Sequence, residues 1–372
     1  VVDWARTGRV PLGRRLMTAR PTRLGAGVVA IGLALMMILL LDGLWAGVQE
    51  RATTYEDNLG AQLVVVAPGT ESLFSDRSTL PGEVADAVAA VPGVTGTTRA
   101  RTMYTILELH GGKAAAAVVG FTPGGAGGPW DLAAGRPPAD GEVAVDRLLA
   151  EEHGLGLGDS LPVMGRNLRV VGLTDGTAMF MTPLIFTTES TLTGLLGATG
   201  TTGVVLVSTD TPDAVAERLR SQGLTVRTPA ELAGAARELT TRIFGGPIKL
   251  MVAVAFAAGV LIVALVSYTV VAEQRRELGV LKAIGASTVR LRRLTLTMTL
   301  GFSLIGGLVA AALLAVARVV VTAWQPTFLV SITPTALGRT AVAAAAMALL
   351  AAWVPARQVN RVDAATAFRS GS

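Results

Sequence analysis

Leu250–Ala272 reads LMVAVAFAAGVLIVALVSYTVVA, and Glu273–Leu294 continues it as EQRRELGVLKAIGASTVRLRRL. The first stretch has no charge over a length that crosses about 30 Å of hydrocarbon as a helix. The second is basic and helix-prone. The whole chain has 372 residues, 51% hydrophobic and 16% charged, with mean hydropathy +0.54. A large water-soluble core could bury that many apolar residues, so their distribution decides the fold class. Leu24–Leu41 and Leu294–Ala317 are equally free of charge. Thr340–Val354 is short and Ala-rich; with Thr333 as cap and Pro334 at the first position it extends to about 21 residues, ending before Pro355. Arg339 then lies near one end, where it can snorkel to the interface.

The first run exceeds the apolar core of a signal peptide. Asp42 and Trp45 follow it with no small-x-small site, so it reads as an uncleaved anchor. The chain has no cysteine, which excludes disulfides, thiolate chemistry and cysteine metal sites.

Charge sets the orientation. Arg6, Arg9, Arg14, Arg15, Arg20 and Arg23 precede the first run. Arg275, Arg276, Lys282, Arg290, Arg292 and Arg293 separate the second and third. Arg357, Arg361 and Arg369 follow the fourth, and the short loop at 322–333 has none. The excess of positive charge places both tails and the 273–293 segment in the cytoplasm. Basic residues that border spans, with no patch of their own, also argue against nucleic acid as a partner. The expected fold is an α-helical membrane protein with four transmembrane helices and an inserted extracytoplasmic α/β (α+β) domain. Its parts are a basic N-tail 1–23, spans 24–48, 247–272, 294–321 and 334–355, an outside domain 49–246, a cytoplasmic elbow 273–293 and a C-tail 356–372.

The outside segment alternates strand and helix signals. QLVVVAPG (Gln62–Gly69) is a strand closed by a Pro-Gly turn, and Val84, Val88 and Val91 share one helical face before Pro92-Gly93. Arg101–Leu109 reads as a strand, and GEVAVDRLLAEEHG as strand then helix, followed by a Gly-rich turn and a hairpin. TPLIFTT and TGVVLVST are further strands. TPDAVAERLRSQGLTV is a capped helix leading to a strand in a βαβ-like unit, and Glu231–Phe244 is a helix feeding the second span. No G-x-S-x-G, H-E-x-x-H or G-x-x-x-x-G-K-[ST] occurs. His110 and His153 are isolated, and GLGLG (Gly154–Gly158) precedes a strand, so it reads as a turn.

The basic segment reads as a helical elbow. Glu273 and Arg276 pair at i,i+3, and Leu278, Leu281 and Ile284 form an apolar stripe. Gly285 can close this helix and Ser287 can cap the next. The alternative is a basic loop lying on anionic lipid.

EQRRELGVLKAIGAS resembles the signature after the second span of FtsX-like permeases. These are membrane subunits of type VII ABC systems, with macrolide-exporter, lipoprotein-release and haemin-exporter relatives. PARQVNRVDAATAFR (Pro355–Arg369) resembles the family's closing pattern, and Gly154–Phe186 resembles exporter-type members. Ala364 and Ala365 depart from that closing pattern, and Pro21 interrupts the N-tail helix.

The resemblance implies that Glu273, Arg275, Arg276, Glu277, Leu278, Leu281, Lys282, Ile284, Gly285 and Ala286 dock on a cytoplasmic ABC ATPase. That partner chain would hold ATP and Mg, and this chain no cofactor. It further implies two permeases with two ATPases in a bacterial cell membrane. Gly43/Gly47 and Ala255/Gly259 are small-xxx-small pairs that suit a seam with a second permease copy. The expected activity is ATP-driven efflux of an amphipathic or hydrophobic compound. The competing expectation is mechanotransmission to an extracellular wall hydrolase or sensor, without cargo. Haemin is a candidate substrate, with Met36, Met37, Glu238, Arg242 and Met251 as candidate contacts.

Overall fold

The computed structural model describes residues 21–109, 112–273, 287–324 and 334–360. It divides into two compact units. The first comprises 1–46, 246–324 and 330–372, and the second comprises 47–245 with 325–329.

The helical unit is built from α1 (Pro21–Arg51), α6 (Pro229–Glu273), α7 (Thr288–Trp324) and α8 (Pro334–Asn360), of which α1 and α6 also extend into the second unit. Among the described residues, three stretches are long and apolar enough to cross a membrane: Gly27–Arg51, Pro229–Thr269 and Leu300–Val321. The apolar part of α8 among the described residues, Leu337–Leu350, is shorter. Ile31, Leu35, Ile38, Val263, Phe302 and Met347 are buried together in the helix cluster. Glycines set the closest approaches. A Cβ on Gly306 would lie 2.5 Å from Ile31 Cγ2, and one on Gly32 would lie 2.7 Å from Val309 Cγ1. Small residues let helix backbones meet where apolar burial against lipid offers no driving force.

The second unit is a mixed sheet with helices. Its main sheet has ten described strands, in the order β12 (Thr225–Arg227), β1 (Leu63–Val66), β11 (Val204–Thr209), β3 (Val94–Leu109), β4 (Gly112–Phe121), β9 (Leu184–Thr188), β6 (Glu142–Asp146), β8 (Arg166–Thr174) and β5 (Leu132–Gly135), with β7 (Ser160–Val163) paired to β8; β2 (Leu80–Pro81) and β10 (Thr201–Thr202) form a separate two-stranded sheet. β1 (Leu63–Val66) runs antiparallel to both β11 (Val204–Thr209) and β12 (Thr225–Arg227). The unit β11–α5 (Pro212–Ser221)–β12 is therefore a βαβ crossover split by β1. Pro212 stands at the start of α5, and Thr211 makes no side-chain cap bond, so the expected hydroxyl cap is replaced by proline geometry.

Both faces of the sheet are covered, which is why β1 reads as an unbroken apolar LVVV run. Val64 and Val66 join Leu206, Phe186 and Tyr55 on one face. Leu63 and Val65 face α2 (Glu83–Ala89) and α5 through Val88, Val215 and Leu219 on the other. At the far half Ile185, Val143 and Val170 pack with Leu149 of α3 (Arg147–His153) and Leu192 of α4 (Glu189–Leu196). α2 ends at Ala89, so Val91 is buried just beyond the helix. The expected strand at Arg101–Leu109 is the second half of β3 (Val94–Leu109), where Ala100–Leu109 pairs with β4 (Gly112–Phe121), while the first half of β3 pairs with β11. Gly154, with φ +66°, ends α3, and Gly158, with φ +96°, precedes β7 (Ser160–Val163), so GLGLG is a turn.

Candidate functional site

The elbow sits between two long helices. α6 ends at Glu273, which is exposed, and α7 begins at Thr288, directly after Ser287. Arg275, Arg276, Glu277, Leu278, Leu281, Lys282, Ile284, Gly285 and Ala286 lie outside the described residues. So do His110, the N-tail to residue 20, most of the short 322–333 loop and the C-tail beyond residue 360.

Both small-residue pairs lie among the described residues. Gly43 and Gly47 are buried, as is Ala255. A Cβ on Gly259 would lie 2.6 Å from Met347 Cε and 3.6 Å from Ala34 Cβ, so this glycine packs against α8 and α1. Of the candidate substrate contacts, Met36 packs half-buried in the helix cluster, and Met37 and Met251 are exposed. Glu238 and Arg242 form an exposed i,i+4 ion pair at 3.0 Å.

A polar clasp lies within the second unit, where the last turn of α1 and the first turns of α6 meet. Gln49 Nε2 donates to Thr241 Oγ1 at 2.7 Å. Arg237 donates to Thr53 Oγ1 at 3.0 Å and pairs with Asp57 at 3.5 Å. Thr53, fully buried, donates to Asp57 Oδ2 at 2.6 Å. Arg51 donates to the Ala178 carbonyl at 2.8 Å, and Phe180 sets its ring edge-on to Phe244. This loop is tight: Met179 and Thr182 bridge to each other, and Met181 takes φ +54°.

Beside the clasp, Glu56 is buried with its Oε2 unpartnered. Burial, aided by the neighbouring Asp57 and opposed by its own backbone N–H and by Arg237, pushes its carboxyl up to about 7. The sequence reading missed this clasp. Its only trace is the polar density of QERATTYEDN directly after an apolar run.

No group of three or more His, Cys, Asp or Glu side chains among the described residues could hold a metal ion. Asp146 is buried but structural. It caps α3 through the Leu148 N–H at 3.0 Å and accepts the Thr177 hydroxyl at 2.6 Å. Asp140 accepts hydrogen bonds from Thr188 and Ser190, which hold its carboxyl below the usual range. What the described residues offer is a cluster of long apolar helices and a braced sheet domain.

Residues 25–222 match the MacB-like periplasmic core domain, and residues 249–364 match the FtsX-like permease C-terminal domain. The chain belongs to the MacB-like, FtsX-like permease family of type VII ABC systems. Permeases of this family are membrane subunits of ABC transporters and work with a cytoplasmic ATPase. Among solved structures, the periplasmic region of MacB from Actinobacillus actinomycetemcomitans is similar at 13% identity and a TM-score of 0.37, covering 46% of this chain and 90% of that one. The extracellular domain of the noncanonic ABC-type transporter YknZ from Gram-positive bacteria is similar at 15% identity and a TM-score of 0.35, covering 45% of this chain and 98% of that one. No curated protein matches the chain.

Proposed function

We propose that this permease spans the membrane four times, with both tails and the 273–293 elbow in the cytoplasm, and uses ATP hydrolysed by a partner chain to expel an amphipathic or hydrophobic compound. The observation that carries the reading is α6. It runs without a break from Pro229, just after the last strand of the sheet, to Glu273 at the edge of the elbow. At 1.5 Å per residue, such a helix is about 68 Å long. A push on the elbow therefore enters one continuous helix, whose hydrogen-bond ladder lacks a donor at Pro247 and whose first turns hold Gln49, Thr53 and Asp57. A second permease copy and a second ATPase complete the assembly. Haemin is one candidate cargo, with Met37 and Met251 exposed on α1 and α6.

Glu277→Lys combined with Leu281→Asp tests the docking role. The pair replaces an anion with a cation and an apolar knob with a charge. The variant is expected to keep its spans folded, to lose co-purification with the ATPase and to lose compound-stimulated turnover. Unchanged co-purification and stimulation would contradict the role.

Mechanotransmission without cargo is the second reading. It is favoured by Tyr104 and Ile106, large apolar side chains that β3 leaves 50% and 66% exposed, a surface suited to an extracellular partner. ATP turnover that answers to that partner and to no small compound would select it.

A further inference from the structure

Within the helical unit, α1, α7 and α8 leave a groove of about 320 Å³. Leu35 and Leu39 line it from α1, Leu304 and Ala310 from α7, and Ala341 and Ala344 from α8. A hollow made by small residues is ordinary helix packing in a membrane. Two hydroxyls set this one apart. Ser303 and Thr340 line the groove at 5% and 7% exposure, and neither hydroxyl has a hydrogen-bond partner. Thr269 shows the usual solution, donating to the Leu265 carbonyl one turn back at 2.9 Å. In hydrocarbon no water can replace a missing acceptor.

The two hydroxyls stand near opposite ends. Ser303 lies one turn before Gly306, which crosses α1 at Ile31 and Gly32. Thr340 follows Arg339, whose guanidinium reaches Asp42 at 3.4 Å. From Gly32 to Asp42 the α1 helix rises about 15 Å, half of a hydrocarbon core of roughly 30 Å. Asp42 is the sheltered member of the ion pair at 17% exposure and Arg339 the open one at 70%, so an approaching head group meets the cation. Arg339 has N–H donors to spare beyond Asp42.

We propose that this groove binds one acyl chain of a phospholipid. The phosphate meets Arg339, an ester carbonyl accepts from Thr340, and, where the acyl chain is hydroxylated, that hydroxyl accepts from Ser303. The site rests on the membrane reading of the bundle and not on what the transporter moves.

The test uses the full chain in phosphatidylcholine nanodiscs carrying a trace of phosphatidylglycerol with a diazirine on its acyl chain. After illumination, labelling is expected to concentrate on residues 304–311 and 341–345. Ala344→Phe, which fills the groove, should reduce it at least about fivefold, with Ala345→Leu as the milder filling should the first fail to fold. Labelling at Leu261 and Leu265, exposed on α6 at 70% and 66%, should not change. Thr340→Val and Arg339→Gln should each weaken groove labelling. A competitor with a hydroxylated stearoyl chain should displace the probe better than plain stearoyl in the wild type, and equally well in Ser303→Ala. Even labelling of all helices that ignores Ala344→Phe would reduce the site to ordinary surrounding lipid and overturn the proposal. Disulfide-linked dimers of Leu308→Cys would give the groove to a second copy instead. Equal displacement by both competitors in the wild type would remove the role of Ser303.

Discussion

Glu56 is a carboxylate held where a carboxylate is poorly solvated. Its folded value near 7 lies above the ordinary 4.5, so the folded domain favours the protonated form. The stability this provides is complete below about pH 4.5 and is lost as pH rises through about 7, on the order of 3 kcal/mol at the alkaline end. Asp57 raises and Arg237 lowers the value, and burial holds the neighbouring Tyr55 phenol above its ordinary range. Thermal melts of the full chain in detergent should fall from pH 5 to pH 8 more steeply for wild type than for Glu56→Gln. Parallel slopes would show that Glu56 does not titrate there. Asp146 makes a second prediction. Asp146→Ala removes the α3 cap and strands the buried Thr174–Thr177 hydroxyl pair, and should cost about 2–4 kcal/mol by denaturant unfolding. A loss below about 1 kcal/mol would contradict that role. Neither residue was legible beforehand: GEVAVDRLL announces a strand and a helix, but not which polar side chain the fold encloses.

The helix crossings test packing at the level of elements. Gly306→Val would drive a branched, rotamer-locked side chain into Ile31 of α1, itself stiff at χ1, so the neighbour has little room to yield. The expected cost is on the order of 2 kcal/mol, read as a lowered melting temperature in detergent. Gly25→Val on α1, where an added Cβ meets nothing within 4 Å, should be close to neutral. Equal effects would mean that the crossing is not tight. The apolar helices were readable because uncharged runs bounded by arginine have one physical explanation. Strands such as LVVV and LIFTT were readable from their β-branched and aromatic residues. β4 was not, because GKAAAAVVGF carries an alanine run with no strand preference of its own, and pairing with β3 decides its state. The full length of β3 was hidden for the same reason, since its first half is rich in Thr and Gly.

For the whole molecule, charge and hydropathy led to the expected order of spans and inserted domain, and the family models match residues 25–222 and 249–364. The sheet order could not be read, because its non-consecutive pairings depend on contacts far apart in sequence. The clasp escaped notice for that reason too: Gln49 and Thr241 are 192 residues apart. If the clasp passes movement of α6 to the sheet, Arg237→Ala should leave basal ATP turnover intact and reduce stimulated turnover several-fold in the reconstituted complex. Unchanged stimulation would remove the clasp from the mechanism. The claim beneath all of this is sidedness, and the absence of cysteine makes it directly measurable. Glu71→Cys, in the sheet domain, and Lys282→Cys, in the elbow, should be probed singly in intact cells with a membrane-impermeant maleimide. The account predicts that residue 71 is labelled at once and residue 282 only after the membrane is opened. Labelling of residue 282 in sealed cells would contradict it.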